Sequence, residues 1–201
     1  MTVVQQTPER QRLLALVADL ILENGMLDLS LSGIARHIGS NNRMLLYYFG
    51  SKEHLLDEAA LVAMNRFPRL NDMITRLGEP GDLETRLQRA WSDIGTDENW
   101  AYLQMFFQRF GLALRDHGKN DAFLQLVGTG WVQDLQAILE REGYPEHTAR
   151  IAATQLVAAW RGLQFAMLSG VEREVLDAAY QQSVRALLAW LNTPAALTQQ
   201  P

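Results

Sequence analysis

One short segment, residues 42–48, concentrates side chains that can recognise DNA bases. It presents an amide, a guanidinium, a thioether and two phenols, at Asn42, Arg43, Met44, Tyr47 and Tyr48. An asparagine can bond adenine, and an arginine can bond guanine through two hydrogen bonds at once. The alternative is structural: the asparagine caps a helix, the arginine is a solvated charge and the tyrosines pack against Phe49. Each structural explanation accounts for one part of the segment, so the combination favours base recognition.

A second candidate lies at the start of the next predicted helix. Lys52 follows Ser51 in the first turn, where the positive end of the helix dipole disfavours a cation by about 0.3 to 1 kcal/mol. A bound anion reverses that sign, because the unpaired backbone amides and the ammonium group can hold a phosphate together. The alternative is an ordinary exposed lysine beside Glu53. The pattern indicates a contact with a nucleic-acid backbone.

These side chains lie on a series of short predicted helices. Apolar residues at helical spacing predict a helix over residues 8–24 that ends at an Asn-Gly pair. A serine can cap a second helix over 30–38 and an asparagine a third over 42–48, since each side-chain oxygen can accept a bond from an unpaired amide. A fourth helix begins at Lys52. The second and third helices form a helix-turn-helix, a spacing that plain helical hairpins share.

The remainder of the chain shows only helical patterns. Apolar residues at spacings of three and four predict long amphipathic helices over residues 100–114 and 124–138. An alanine-rich helix is expected over 146–169 and a last helix over 172–191, followed by a loose tail from Thr193. No strand alternation is found, so the predicted fold class is all-α.

Composition and charge restrict the function classes. Apolar residues make up 48% of the chain and cysteine is absent, which excludes disulfides, thiolate metal sites and cysteine nucleophiles. Neither a signal peptide nor an apolar run of membrane-spanning length is found, so a cytoplasmic protein with no membrane partner is expected. The net charge of −5 belongs to the C-terminal part, because the charges of residues 1–55 cancel. The N-terminal part can therefore approach phosphates without global repulsion.

Residues 10–56 resemble the DNA-binding domain of the tetracycline-repressor (TetR) family of bacterial regulators. The matching stretches, in chain order, are Arg12-Leu13-Leu14, Leu20 to Gly25, Leu31 to Ala35, Gly39, Tyr47-Tyr48-Phe49, Ser51-Lys52-Glu53 and Leu55-Leu56. The sequence departs from the family pattern at Ser40 and Asn41, where valine and serine are usual, at Arg43, where glycine or proline is common, and at Leu46, where tyrosine is usual. These departures concern the DNA sequence that is read, because the apolar contacts between the helices are kept.

The resemblance implies a domain organisation and a set of contacts. Residues 1–51 would be the helix-turn-helix DNA-binding domain, and residues 52–201 a larger helical domain for ligand binding and dimerisation. The implied base contacts are Asn42, Arg43, Met44 and Tyr47, and the implied phosphate contacts are Tyr48 and Lys52. Ser30 would cap the second helix and can also touch the DNA backbone. The implied function is a repressor that binds a double-stranded, pseudo-palindromic operator and is released by a small molecule.

A homodimer is expected on physical grounds as well. One short recognition helix contacts few base pairs, and two helices related by a twofold axis read a pseudo-palindrome. The last two predicted helices are the expected interface, because they carry small residues and an apolar stripe from Leu176 to Leu191. The small residues are Ala152, Ala153, Ala158, Ala159, Gly162 and Ala166. The alternative is that these residues form the core of a single chain.

The resemblance also implies an effector pocket in the larger domain, for which apolar aromatic residues are the candidates. The candidate lining residues are Trp91, Phe106, Phe107, Phe110, Trp131, Trp160 and Gln164. Arg109 and Arg161 can join Gln164 in orienting a polar group. The alternative is that the aromatic residues are ordinary core, and the sequence does not identify the effector.

An enzyme is the alternative from another class, and no motif favours it. Gly128-Thr129-Gly130 lacks the third glycine of a dinucleotide-binding loop. The four histidines are scattered and none has the spacing of a zinc site. No catalytic residue, cofactor or metal is therefore expected. The other alternative is a ligand-independent dimer that binds DNA or a protein.

Overall fold

The fold is built from α-helices. The computed structural model describes residues 7–115 and 124–198, and within them there is no β-strand, which confirms the all-α prediction. The helices are α1 (Pro8–Asn24), α2 (Leu31–His37), α3 (Asn42–Phe49), α4 (Lys52–Met64), α5 (Pro68–Asn71), α6 (Met73–Leu77), α7 (Leu83–Ile94), α8 (Trp100–Arg115), α9 (Trp131–Arg141), α10 (Glu146–Leu168), α11 (Arg173–Leu191) and α12 (Pro194–Thr198). A 3₁₀ turn at Asp97–Asn99 precedes α8, and a π-helical segment at Gln125–Gly130 precedes α9. None of the helices in these two ranges is both long and apolar enough to cross a membrane.

Capping residues explain the bounds of the first four helices. Each N-cap side chain accepts a hydrogen bond from the backbone amide three residues later: Thr7 from Arg10, Ser30 from Gly33, Asn41 from Met44 and Ser51 from His54. Gly25 and Gly50 follow α1 and α3 with φ of +78° and +74°, a conformation that favours glycine. The predicted start of α3 at Asn42 and of α4 at Lys52 is confirmed.

The chain divides into two compact units. The first contains the described residues up to Pro68 together with Trp100–Leu112. Within it α1 and α3 both pack against α4, and α2 packs against α3. The buried side chains of its core are Leu13, Val17, Leu20, Ile21, Ile34, Leu45, Phe49 and Leu55. Hydrophobic contacts between four short helices thus hold the helix-turn-helix in place.

The second unit contains Arg69–Asn99 and the described residues from Ala113 onward. Here α9 packs along α10, α10 packs against α11, and α7 contacts both α10 and α11. Its fully buried side chains include Leu87, Ile94, Leu135, Trp160, Tyr180 and Leu191. The division into a DNA-binding domain ending at residue 51 and an effector domain beginning at residue 52 stays a prediction.

The tail after the last long helix was expected to be loose, and this expectation is wrong for residues 194–198. They form α12, which begins with a proline and is preceded by Thr193, whose hydroxyl oxygen accepts a bond from the Ala196 amide. Ala196 is buried, and its carbonyl oxygen accepts a 2.6 Å bond from the hydroxyl of Thr148. Residues 199–201 lie outside the described part of the chain.

The predicted helix over 124–138 differs from the structure in its first half. Gln125–Gly130 is π-helical, and regular α-helix begins only at Trp131. The segment contains Gly128 and Gly130, which are weak α-helix formers. A π-helical turn shifts the angular position of each residue, and this shift is invisible to a pattern based on spacings of three and four.

Candidate nucleic-acid interface

Two buried apolar side chains hold helix α3 against the neighbouring helices. Leu45 and Phe49 are buried and lie on the face of α3 that meets α2 and α4. Asn41 fixes the first turn, because its Oδ1 accepts a 2.9 Å bond from the amide of Met44. The helix is therefore anchored on one face and at its N-terminus, which leaves the opposite face to be presented to a partner.

Arg10 anchors the other end of α3. This residue of α1 is buried, its Nη2 lies 2.7 Å from both carboxylate oxygens of Glu58 on α4, and its Nε donates to the carbonyl oxygen of Tyr48. The guanidinium also lies over the ring of Phe49, 4.8 Å from its centroid. Sequence reasoning counted Arg10 only as a charge and missed this supporting role, since its acidic partner is far away in the chain.

The exposed face of α3 carries most of the predicted contact residues. Asn42, Arg43, Met44 and Tyr47 are exposed, and Tyr47 is the most open of them at 72%. Tyr48 is half-buried, and its ring meets that of Tyr47 edge-on with centroids 5.1 Å apart. Leu46, where the family pattern usually has tyrosine, is also exposed. The structure thus places the four predicted base-contacting side chains on the surface of one two-turn helix.

Asn42 is linked to the preceding helix. Its Nδ2 donates a 2.8 Å hydrogen bond to the hydroxyl oxygen of Ser32 on α2. An amide nitrogen carries two hydrogens, so one donor and the carbonyl oxygen of Asn42 are still available for a bidentate bond to adenine. The contact with Ser32 fixes the direction of the side chain before any partner arrives.

The cations of the first unit fall into two classes. Arg10, Arg12 and Arg66 form ion pairs with Glu58, Glu9 and Asp19 respectively. By contrast Arg36, Arg43 and Lys52 form no ion pair within the part of the chain that the structure describes. Their positive charges are not neutralised locally, and they belong to α2, to α3 and to the start of α4.

The turn into α4 has the predicted form of an anion site. The Ser51 hydroxyl oxygen accepts from the amide of His54, and Lys52 is a half-buried residue in the first turn. The amides of Lys52 and Glu53 lie in the first turn of a 13-residue helix, where the residue four positions earlier is outside the helix, so the helix itself cannot satisfy them. The geometry is compatible with a phosphate contact, which stays a prediction.

Helix α8 contributes polar links inside the first unit. The Gln108 side-chain oxygen accepts a 2.6 Å bond from the amide of Met26, just beyond the end of α1. Arg109, a candidate for orienting an effector, forms an ion pair with Asp57 of α4 at 2.9 Å. Burial raises the pKa of Asp57, and the nearby Arg109 opposes that rise. In this structure Arg109 acts as a link between α8 and α4.

The three phenylalanines predicted to line an effector pocket also lie on this part of α8. Phe106 is buried, whereas Phe107 and Phe110 are half-buried. The Phe106 ring meets Phe107 edge-on at 5.3 Å and stacks on Phe110 at 6.4 Å between centroids. They form one aromatic row in the first unit, together with Tyr102.

The remaining effector candidates lie in the second unit, where four of them come together. Trp131 and Trp160 meet edge-on with centroids 6.0 Å apart. Arg161 lies over the Trp131 ring at 4.2 Å, and its Nη1 donates to the Oε1 of Gln164 at 3.0 Å. We call Trp131, Trp160, Arg161 and Gln164 the α9–α10 cluster.

Tyr180 of α11 joins this cluster to Trp91 and was not predicted as a site residue. Its hydroxyl oxygen accepts a bond from Trp160 Nε1 at 3.1 Å, and the hydroxyl donates to the carbonyl oxygen of Leu87. Trp91 stacks on the Tyr180 ring at 5.1 Å and donates its indole hydrogen to Asp177. Burial raises the pKa of Tyr180 well above its ordinary value, so the phenol stays neutral and can donate. Within the described residues no group of three or more metal-ligating side chains is found.

The apolar stripe that was expected at a dimer interface belongs mainly to the core of the second unit. Leu176, Tyr180, Leu187 and Leu191 are buried within the single chain, as are Ala152 and Ala153 of α10. Ala158 and Gly162 are exposed, and Ala159 and Ala166 are half-buried. The stripe packs against α10 and α7 of its own chain, so it is the outer face of α10 and α11 that is open to a partner.

Comparison with solved structures shows a shared fold. A transcriptional regulator from Rhodococcus sp. Rha1 has a TM-score of 0.69 at 20% identity, covering 90% of this chain and 96% of that chain. A candidate transcriptional regulator from Saccharomonospora viridis, solved in complex with choline, has a TM-score of 0.60 at 23% identity, with coverages of 94% and 98%. A TetR variant from Acinetobacter baumannii AYE, solved in complex with minocycline, has a TM-score of 0.53 at 19% identity, with coverages of 93% and 97%.

Comparison with families identifies the N-terminal helices. No curated protein sequence matches the chain significantly. Residues 13–59, which span most of α1, the helix-turn-helix and the first half of α4, match the model of the bacterial regulatory proteins of the tetR family. By this match, residues 13–59 form an N-terminal domain of the tetR family of bacterial regulatory proteins.

Proposed function

We propose that this protein is a ligand-responsive repressor that binds a pseudo-palindromic DNA operator as a homodimer and leaves it when a small molecule binds. The observation that carries the proposal is the exposed face of α3, which presents the amide of Asn42, the guanidinium of Arg43 and the phenol of Tyr47. The helix is capped by Asn41, and its opposite face is buried against the neighbouring helices. Helix-turn-helix proteins place the N-terminal end of such a helix in the major groove.

The proposed contacts divide by chemistry. Asn42 and Arg43 would bond base edges, and Met44 and Tyr47 would make apolar contacts to them, because all four are exposed on α3. Lys52 and the Tyr48 hydroxyl would contact phosphates, and Ser30 would do so beside them at the start of α2. The cations without an ion pair within the described residues, Arg36, Arg43 and Lys52, support this division, since their charge is available to phosphate.

The outer face of α10 and α11 is the proposed dimer interface. Phe165 is 63% exposed and Val175 is 53% exposed, and they are accompanied by exposed small residues such as Ala158 and Gly162. A groove of about 350 Å³ runs between α10 and α11, with Ala159 and Trp190 among its lining residues. Large exposed apolar side chains beside small ones suit close packing of a twofold-related copy. The two α3 helices would then lie about 34 to 36 Å apart, one turn of DNA.

A small-molecule effector is the remaining part of the proposal. Two proteins of this fold have been solved with small molecules, choline in one and minocycline in the other. The α9–α10 cluster supports a site of this kind here, because it combines aromatic rings with a guanidinium and a buried amide. To release DNA, the effector must bind the non-operator state of the dimer more tightly than the operator-bound state.

Selection from a random duplex library by the purified chain, followed by sequencing of the retained DNA, tests the proposal. The expected result is an inverted repeat with half-sites about one helical turn apart, about 10 base pairs. A single half-site would contradict the dimeric mode of reading, and no enrichment over the input library would contradict operator binding. With an operator available, compounds that lower its affinity distinguish an effector-controlled repressor from a ligand-independent dimer.

A further inference from the structure

Gln164, near the C-terminal end of α10, is fully buried, and only one of the two polar groups of its side-chain amide has a hydrogen-bond partner among the described residues. Its Oε1 accepts a 3.0 Å hydrogen bond from Arg161 Nη1. Its Nε2 has no hydrogen-bond partner among the described residues. Buried polar groups are nearly always paired, so a donor that is left over inside a helical core requires an explanation.

The orientation of this amide follows from its neighbour. A guanidinium has only donors, so it must face the carbonyl oxygen of Gln164 and not the amino group. Rotating the amide by half a turn would place two donors against each other and would leave the oxygen without Arg161. The unpaired group is therefore the NH₂, and what it lacks is a hydrogen-bond acceptor.

The surroundings of Gln164 limit the kind of molecule that could supply the acceptor. Trp131 is half-buried and meets Trp160 edge-on at an angle of 86°. Arg161 lies over one face of Trp131, 4.2 Å from the ring centroid, and its bond to Gln164 keeps a positive charge beside the unpaired amide. Indole rings next to an unpaired amide donor and a positive charge favour a ring-containing molecule with one oxygen acceptor.

We propose that Gln164 and Arg161 bind an oxygen acceptor of the effector, a carboxylate or a carbonyl group attached to a flat apolar body that packs against Trp131. This inference rests on the proposed function, since it names the chemical class of the effector. The buried amide would discriminate between ligands with and without an oxygen acceptor. A molecule without the oxygen would leave the Gln164 donor unpaired, and a site of this kind binds such a molecule much more weakly.

Matched compounds test the acceptor requirement on the full chain. The probes are phenylacetate and indole-3-acetate, the primary amides of both, and ethylbenzene and 3-methylindole as partners without oxygen. Binding is measured by isothermal calorimetry and by the shift in Tm.

We expect at least one oxygen-bearing probe to bind about ten-fold or more tightly than its apolar partner. A preference for the acid indicates a carboxylate site, and a preference for the amide a carbonyl site. Equal binding within each set, or no binding by any oxygen-bearing probe, would overturn the proposal.

Two substitutions test the residue itself. Gln164→Glu keeps an oxygen for Arg161 and removes the NH₂ donor, so we expect a loss of about ten-fold or more in affinity for the preferred probe. Gln164→Met removes the amide at similar volume, and it should abolish the preference for oxygen while raising the Tm of the ligand-free protein. The matched control is Gln133→Glu, an exposed position on α9, which should bind as the wild type does. Wild-type affinity in both Gln164 variants would overturn the assignment.

The same probes in an operator-binding assay separate this inference from the proposed function. If a probe binds through Gln164 but leaves operator affinity unchanged, the result supports the Gln164 acceptor site and contradicts effector-controlled release of DNA. If a probe releases DNA equally from the wild type and from Gln164→Glu, the result supports effector-controlled release and contradicts the Gln164 site. Each hypothesis thus fails on its own measurement.

Discussion

The exposed face of α3 and the α9–α10 cluster are built in opposite ways. On α3, Arg43 and Tyr47 are exposed, while Leu45 and Phe49 of the same helix are buried and hold it in place. In the cluster, Trp160 and Gln164 are themselves fully buried; the partners of Trp160 come from other helices, and Gln164 bonds Arg161 of its own helix. The proposed DNA contacts and the stability of the fold thus belong to different side chains of α3, whereas in the cluster the same side chains would serve both the proposed ligand and the fold.

This difference determines what a substitution can reveal. Truncating an exposed side chain of α3 should alter DNA binding and leave unfolding nearly unchanged, because surface changes usually affect stability by less than about 0.5 kcal/mol. Truncating a buried side chain of the cluster should lower stability first, so loss of ligand binding alone would not assign a role there. Substitutions that conserve volume are needed in the cluster, and simple truncation is sufficient on α3.

The largest effect is expected at Trp160. Trp160→Ala removes a fully buried indole together with its hydrogen bond to the Tyr180 hydroxyl, so we expect a loss of about 3 to 5 kcal/mol in the free energy of unfolding. The measurement is equilibrium unfolding in urea at fixed protein concentration. The control is Trp100→Ala, because Trp100 is 39% exposed and should cost clearly less. Similar losses for the two variants would contradict the description of Trp160 as a core residue.

The next effect is expected at Arg43 and concerns DNA. Arg43→Ala should cost about 1 to 3 kcal/mol of binding to the selected operator and relax the preference at one base position. The free energy of unfolding should change by less than about 0.5 kcal/mol, since the side chain is exposed and makes no ion pair within the described residues.

A charge-conserving variant sharpens this test. Arg43→Lys keeps the cation but loses the planar fork, so it should retain affinity for random DNA and lose base preference. Fluorescence anisotropy with the operator and with single-base variants measures both quantities. Unchanged base preference in Arg43→Ala and in Arg43→Lys would show that Arg43 does not read a base.

A smaller effect is expected at the cap of α3. Asn41→Ala removes the acceptor for the Met44 amide and should lower the free energy of unfolding by about 0.5 to 2 kcal/mol. The neighbouring Asn42→Ala loses only an exposed bond to Ser32 and should change stability by less than about 0.5 kcal/mol. Thermal and urea unfolding of the pair measure the contrast. A larger loss of stability at Asn42 than at Asn41 would reverse the assigned roles.

The helix-turn-helix could be predicted because its determinants are local. Ser30, Asn41 and Ser51 each bond an amide three residues away, so the helix starts are encoded within a single turn. The support from Arg10 could not be predicted, because its partner Glu58 is distant in sequence and the pair forms only when α1 packs on α4.

The second unit was predicted less completely for the same physical reason. Helical spacing places Leu176 and Tyr180 on one face of α11, but it does not say whether that face meets its own chain or another copy. The structure shows that these residues pack within the chain, so the available outer face is a different one. Likewise the bond between Arg161 and Gln164 follows from local helical spacing, whereas the unpaired Nε2 depends on what all neighbouring helices leave open.

The smallest effect is expected at Lys52, and it concerns the dependence of binding on salt. If the ammonium group contacts a phosphate, Lys52→Ala should weaken operator and random DNA alike. It should also reduce the slope of log K against log salt by about 0.9 for each phosphate that is no longer neutralised, and a dimer has two such phosphates.

Lys52→Arg should preserve the slope, and Arg150→Ala, at an exposed position on α10, should leave both affinity and slope unchanged. A reduction in slope by about 1.8 would support two symmetry-related phosphate contacts, and therefore also the dimeric mode of binding. An unchanged slope would mean that Lys52 is an ordinary surface residue, and the phosphate contact would then have to be sought at Arg36 or at the Tyr48 hydroxyl. Because Lys52 lies in the first turn of α4, its removal also relieves the unfavourable interaction with the helix dipole. Lys52→Ala should therefore be as stable as the wild type or slightly more stable. Weaker DNA binding without any loss of stability would place Lys52 with Arg43 among the side chains whose role is contact with DNA.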